Sequence, residues 1–99
     1  MSERTEQVNV VFEPELNRSA AYIHGKHVGE CEFVVDGSVW SITHTGVDPA
    51  YGGRGIAKTL VLKVIEEARK QQVRINPVCS YARRMMEGKE EYCDVLEKK

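Results

Sequence analysis

The chain has 99 residues, 41% of them hydrophobic and 29% charged, with 14 basic and 15 acidic side chains for a formal net charge of −1. This is enough for one domain, 1–99, with a modest core, and the composition excludes a disordered chain. The charge balance gives no polycationic footprint, so nucleic acid is not an expected partner.

No apolar run approaches the roughly 20 residues of a membrane-spanning helix. The opening stretch MSERTEQ is polar, with no hydrophobic signal region, so a cytoplasmic protein without a membrane partner is expected. Cys31, Cys79 and Cys93 form an odd set without CxxC spacing, and His24, His27 and His44 are not arranged around them. Neither a disulfide framework nor a metal site is expected.

The first half reads as strands. VNVVFE (8–13) leads into a proline-containing turn, and SAAYIH (19–24) precedes the turn His24-Gly25-Lys26. HVGECEFVV (27–35) alternates, with His27, Gly29, Cys31, Phe33 and Val35 on one face and Val28, Glu30, Glu32 and Val34 on the other. Asp36-Gly37 marks a hairpin into SVWSITHT (38–45), where Trp40, Ile42 and His44 are expected to share a face.

The period changes over 54–71. Ile56, Leu60, Val61, Val64, Ile65 and Ala68 recur at three- and four-residue steps, which predicts an amphipathic helix. VRINPV (73–78) is a β-like run in which Pro77 removes a ladder donor, so 77–79 is expected at a strand end or open edge. The tail reads as one or two short helices split at Gly88. The order ββββ-α-β-α is an α+β arrangement.

The stretch VDPAYGGRGIA (47–57) stands immediately before the helix. The first amides of a helix lack intrahelical acceptors, and the macrodipole adds partial positive charge there. Gly52, Gly53 and Gly55 leave room for a large anion and permit positive φ, while Arg54 and Lys58 add positive charge. The same residues also suit a plain tight turn. The spacing is neither that of a P-loop nor that of a dinucleotide-binding fingerprint.

The run V-D-P-A-Y-G-G-R-G-I-A, followed by K-T-L, resembles motif A of the GNAT superfamily of N-acetyltransferases. Gly55 and Ala57 fall on the fixed small positions and Val47 on the strand-end valine, while Gly52 stands where the family usually has Gln or Arg. I-T-H-T-G-V-D-P before the loop and I-N-P-V-C-S-Y after the helix are similar to the small single-domain members that carry H-T-x-V-P and P-x-C-S-Y. The resemblance implies a GNAT-like acyl-CoA acyltransferase fold, a mostly antiparallel mixed sheet with a central helix after the glycine loop and a short C-terminal helical segment. It also implies acetyl-CoA as cosubstrate, its pyrophosphate on the amides of Gly52, Gly53, Arg54, Gly55, Ile56, Ala57 and Lys58. The pantetheine would pair with the backbone of Thr45–Val47, and the thioester would end near Cys79.

For Cys79 a small buried hydrophobe and a nucleophile, or a thiol gripping the acetyl group, are the two readings. Ser80 is expected to cap a helix beginning near Tyr81, which would place Cys79 at its positive end. His44 is either a core histidine or a general base or hydrogen-bond partner to Cys79. Tyr81 is a candidate proton donor to the leaving thiolate. Glu30 and Glu32 read as a solvated sheet face, Cys31 as core, Cys93 as a tail residue, and Met85 and Met86 as packing. Arg83 and Arg84 either reach a CoA phosphate or cover a helix. The expected activity is acetyl transfer to an unidentified amine, by a monomer or weak homodimer. The alternative is an acetyl-CoA-binding sensor or accessory module, and a third reading is an adaptor whose glycine turn is structural.

Overall fold

A computed structural model describes residues 7–97. Four strands come first: β1 (Val8–Glu13), β2 (Arg18–Ile23), β3 (Lys26–Asp36) and β4 (Val39–Val47). The helix α1 (Ile56–Gln71) follows, then β5 (Arg74–Pro77) and the short helix α2 (Ser80–Met86). The sheet order is β1-β2-β3-β4-β5, antiparallel except for the parallel pair β4–β5, which α1 connects.

The turns follow from residues that tolerate positive φ. His24 and Gly25 adopt φ of 51° and 78° between β2 and β3. The β3–β4 loop is Gly37-Ser38, one residue later than the Asp36-Gly37 signal places it, because Asp36 still pairs with Val39. Gly37 then holds the first central position at φ 60°, as a type II′ hairpin requires.

α1 buries the six apolar positions its periodicity marks against one face of the sheet, and Ala82 and Met86 of α2 join the same cluster. Ser19 is fully buried, and its hydroxyl donates to the Leu60 carbonyl at 2.8 Å, which pins the helix to β2 and satisfies both groups. Phe33 stacks on Trp40 at 4.4 Å between ring centres, and Phe12 adds a third ring at 5.9 Å from each. The edge at β5 is not open at its centre. The Ile75 amide donates to Val95 at 2.6 Å, and the Glu97 amide donates to Ile75 at 2.8 Å, so the tail covers it.

Simple alternation fails at two places. Ala21 pairs with Gly29 but Tyr22 with His27, which leaves Val28 as an extra residue. Val28 turns into the core, 2% exposed, and His27 moves to the face of Glu30. In β4, Ile42 pairs with Phe33 but His44 with Glu32, so Thr43 is the extra residue. His44 therefore leaves the face of Trp40 and Ile42, correcting the expectation that the three share one. Val35 keeps its side but lies 48% exposed at the hairpin end.

Leu60 is fully buried between α1 and the sheet. Leu60→Ala is expected to destabilise the fold by about 3 kcal/mol through lost burial and a residual cavity, read as a lower urea midpoint at unchanged slope.

Candidate functional site

β4 and β5 separate at Pro77. Their parallel pairing runs from Val39–Arg74 to Ile42–Pro77 and stops. The Ile42 carbonyl accepts the amides of both Val78 and Cys79, at 3.0 and 2.8 Å. Beyond it β4 continues to Val47 on β3 alone, with Thr45 opposite Cys31 and Val47 opposite Gly29. The chain after Pro77 turns into α2, so a notch opens between residues 43–47 and 78–79.

Cys79 lies at the inner end of this notch and is itself the N-cap of α2, its sulfur accepting the Ala82 amide at 3.4 Å. Ser80 is the first helical residue rather than the cap, because the thiol occupies the acceptor position one residue earlier. The Thr45 hydroxyl stands 3.5 Å from Cys79 Sγ and 3.6 Å from Cys31 Sγ, bridging the two thiols. Burial pushes the Cys31 thiol up to about 12, so it stays protonated throughout the physiological range.

His44 lies on the other face of the sheet. Its Nε2 is 2.7 Å from Glu30 Oε2, and His27 Nε2 is 3.2 Å from Glu30 Oε1. The hydrogen bonds of the Cys79 thiol go to Thr45 and Ala82, not to His44. The structure thus brings Thr45 to Cys79 and takes His44 to Glu30, a pairing that strand alternation alone places out of reach.

The loop after β4 is a ready anion cradle. Asp48 accepts the Ala50 amide at 2.9 Å and starts a 3-10 turn, Pro49–Tyr51. Gly53 and Gly55 adopt φ of 78° and 76°. Nothing lies within 4 Å of a Cβ at either, so conformation rather than crowding calls for glycine there. Gly55 is the N-cap of α1 and has no side chain to cap with, and no acidic residue stands in the first turn. The amides of Ile56, Ala57 and Lys58 are therefore presented outward. Arg54 lies 5.1 Å from the Tyr51 ring centre and Lys26 5.7 Å from it.

A cleft between the start of α1 and the length of α2 is lined by Lys58, Tyr81, Arg84, Met85 and Lys89. Arg83 instead donates to the Val78 carbonyl at 3.0 Å, closing the β5 end. Of the two arginines that sequence reasoning left between a phosphate and a helix surface, Arg84 lines this cleft; Lys89 was not named at all, since its meeting with Lys58 depends on how α2 folds back. Among the described residues no group of three or more His, Cys, Asp or Glu side chains could hold a metal ion. Nor is any helix there long and apolar enough to cross a membrane.

A mixed sheet with a glycine loop feeding its central helix, and strands that part beside it, is an acyltransferase architecture. The chain matches the GCN5-related N-acetyl-transferase family over residues 18–95, and it belongs to that family. A candidate GCN5-like N-acetyltransferase from Staphylococcus aureus, solved in solution, is 29% identical with a TM-score of 0.68, over 94% of this chain and 89% of that one. The PaiA N-acetyltransferase from Thermoplasma acidophilum, in complex with coenzyme A, shares the fold at 20% identity and a TM-score of 0.54, over 57% of this chain and 35% of that one. A GCN5-related N-acetyltransferase from Kribbella flavida does so at 19% identity and 0.56, over 70% and 20%. No curated protein matches the chain.

The three thiols differ in exposure: Cys31 is buried, Cys79 intermediate and Cys93 exposed. At pH 8, with the Cys31 thiol held near 12, iodoacetamide is expected to label Cys93 and Cys79 and to leave Cys31 unmodified. Peptide mass spectrometry checks this, and early labelling of Cys31 in the folded protein would contradict the packing.

Proposed function

We propose that the protein binds acetyl-CoA and transfers its acetyl group to an amine. The observation that carries this is the parting of β4 and β5 at Pro77. Thr45 and Cys79 stand at its inner end, and the strand it opens leads into the uncapped start of α1. The residues fit the cosubstrate. Open amides of Ile56, Ala57 and Lys58 suit a pyrophosphate, Lys58, Arg84 and Lys89 suit further phosphate charge, and the freed backbone of Thr45–Val47 suits pantetheine amides. Bound acetyl-CoA would supply the activated acetyl group.

Cys79 and His44 approach the notch from opposite faces of the sheet. A thioester threaded between the strands would meet Cys79, and an amine arriving over the polar face would meet His44. The amine nitrogen attacks the thioester carbonyl, the C–S bond breaks, and the amine proton passes to the His44 imidazole. Cys79 then holds the acetyl end of the substrate in place by contact, with Thr45 orienting its sulfur.

A second reading, an acetyl-CoA-binding sensor or accessory module, draws on the shallow, open depression lined by His27, Glu30, Gly46 and Asp48 where an acceptor would sit. Thiol release from acetyl-CoA across a panel of amines, polyamines and peptides separates the two. Tight binding with no amine-dependent release would favour the sensor.

Gly55 combines positive φ with a bare helix start. Gly55→Val is expected to weaken acetyl-CoA binding by at least about tenfold, one lost set of amide contacts, while circular dichroism stays native. Calorimetry reads the affinity, and unchanged binding would remove the loop from the site.

A further inference from the structure

The polar face carries a cluster that the acetyl-CoA slot does not explain. Glu30 is held by two imidazoles, His44 Nε2 on Oε2 at 2.7 Å and His27 Nε2 on Oε1 at 3.2 Å. Both contacts depend on irregular strands. In a regular strand residues 27 and 30 would lie on opposite faces, and the extra residue Val28 brings them together. The extra residue Thr43 does the same for His44. Each bulge costs ladder hydrogen bonds, and both converge on one carboxylate.

Gly46 supplies a third, independent sign. It lies inside β4, where glycine weakens a strand. A Cβ there would stand 2.9 Å from His44 Nε2, 3.0 Å from His44 Cε1 and 3.2 Å from Glu30 Oε2. The missing side chain is the space in which the His44–Glu30 contact sits. The contact remains reachable from solvent, since His44 is 50% and Glu30 20% exposed.

We propose that Glu30 is the positioning residue of the acetyl transfer: clamped between His27 and His44, it fixes the His44 ring with its proton on Nε2 and leaves Nδ1 to take the proton of the incoming amine. A carboxylate only accepts hydrogen bonds, so a neutral His44 bonded to it through Nε2 must carry its hydrogen there. The amine gives its proton to Nδ1 as its nitrogen bonds to the acetyl carbon, and the acyl C–S bond breaks with its electron pair leaving on the CoA thiolate. The resulting imidazolium is held by the Glu30 carboxylate until its proton leaves to water. Glu32, although directly across the strand from His44, plays no part in this. The proposal rests on the acyltransferase reading above.

Two readouts test it on the intact chain. Long-range proton–nitrogen NMR at a pH where His44 is neutral should show a single Nε2–H tautomer in the wild type and in Glu32→Ala. Glu30→Ala should show a tautomer mixture, and Glu30→Gln, whose amide oxygen still accepts, should retain the wild-type form. In thiol release with acetyl-CoA and spermidine, Glu30→Ala should lower kcat about ten- to a hundredfold, the usual scale for losing a group that orients a reacting residue, with KM for acetyl-CoA within about twofold. His44→Ala should cost at least as much, and Glu32→Ala should leave kcat unchanged. An unaltered His44 spectrum in Glu30→Ala overturns the proposal whatever the activity, and so does a changed spectrum with full kcat. Wild-type protein that releases no thiol with spermidine or with any other amine of the panel overturns the acyltransferase reading itself. That failure is told apart from the first because the Glu30-dependent tautomer would persist in the spectrum.

Discussion

The structure turns on one carbonyl, that of Ile42. It accepts the amides of both Val78 and Cys79, just past Pro77, its last partner in β5, where the parallel pairing ends. The next residue, Thr43, is the extra one in the ladder with β3. The end of the parallel pairing, the turn into α2 and the face change of His44 are thus set within two residues. Thr45 then points toward the thiols and His44 toward the carboxylates. A regular β4 would put His44 on the core face beside Ile42, where its ring nitrogens would need partners the apolar cluster does not offer.

Much of this was legible in the sequence. The 3.6-residue period of α1 survived because six apolar side chains must all reach one sheet, and burial enforces that period. The hairpins announced themselves through Gly25 and Gly37, and the proline in β5 marked where its ladder ends. The bulges were not legible. An extra residue such as Val28 or Thr43 is an ordinary strand former with no composition signal, and only the partner strand reveals that the register has slipped. Gly46 was the available hint, since an interior strand glycine asks what approaches it. Ser80 misled for a related reason: serine is the stronger cap on average, but the end of the β5 pairing places Cys79 one position earlier.

The formal net charge of −1 also conceals a division. Lys58, Arg84 and Lys89 line one cleft, while Glu30 and Asp48 border the depression on the polar face. Charges that cancel in the sum act locally, because screening at physiological salt confines each group to about 8 Å. In the proposed acetyl transfer, an anionic cosubstrate and a cationic amine would be drawn to different sides of the same strands. No composition argument finds such a division, since it depends on which residues the strand and helix ends bring together.

Proton counting at the notch sharpens the role of Thr45. Its hydroxyl carries one hydrogen and stands within reach of two sulfurs, so it can donate to only one of them. That one is Cys31, whose buried sulfur accepts the Thr45 hydroxyl. The contact between Thr45 and Cys79 then needs the Cys79 thiol to supply its own hydrogen to the Thr45 oxygen, while the Cys79 sulfur accepts the Ala82 amide. A buried sulfur thus sets which way the hydroxyl points, and through it which way the Cys79 hydrogen points; valine at position 45 would fill the same space without passing that orientation on.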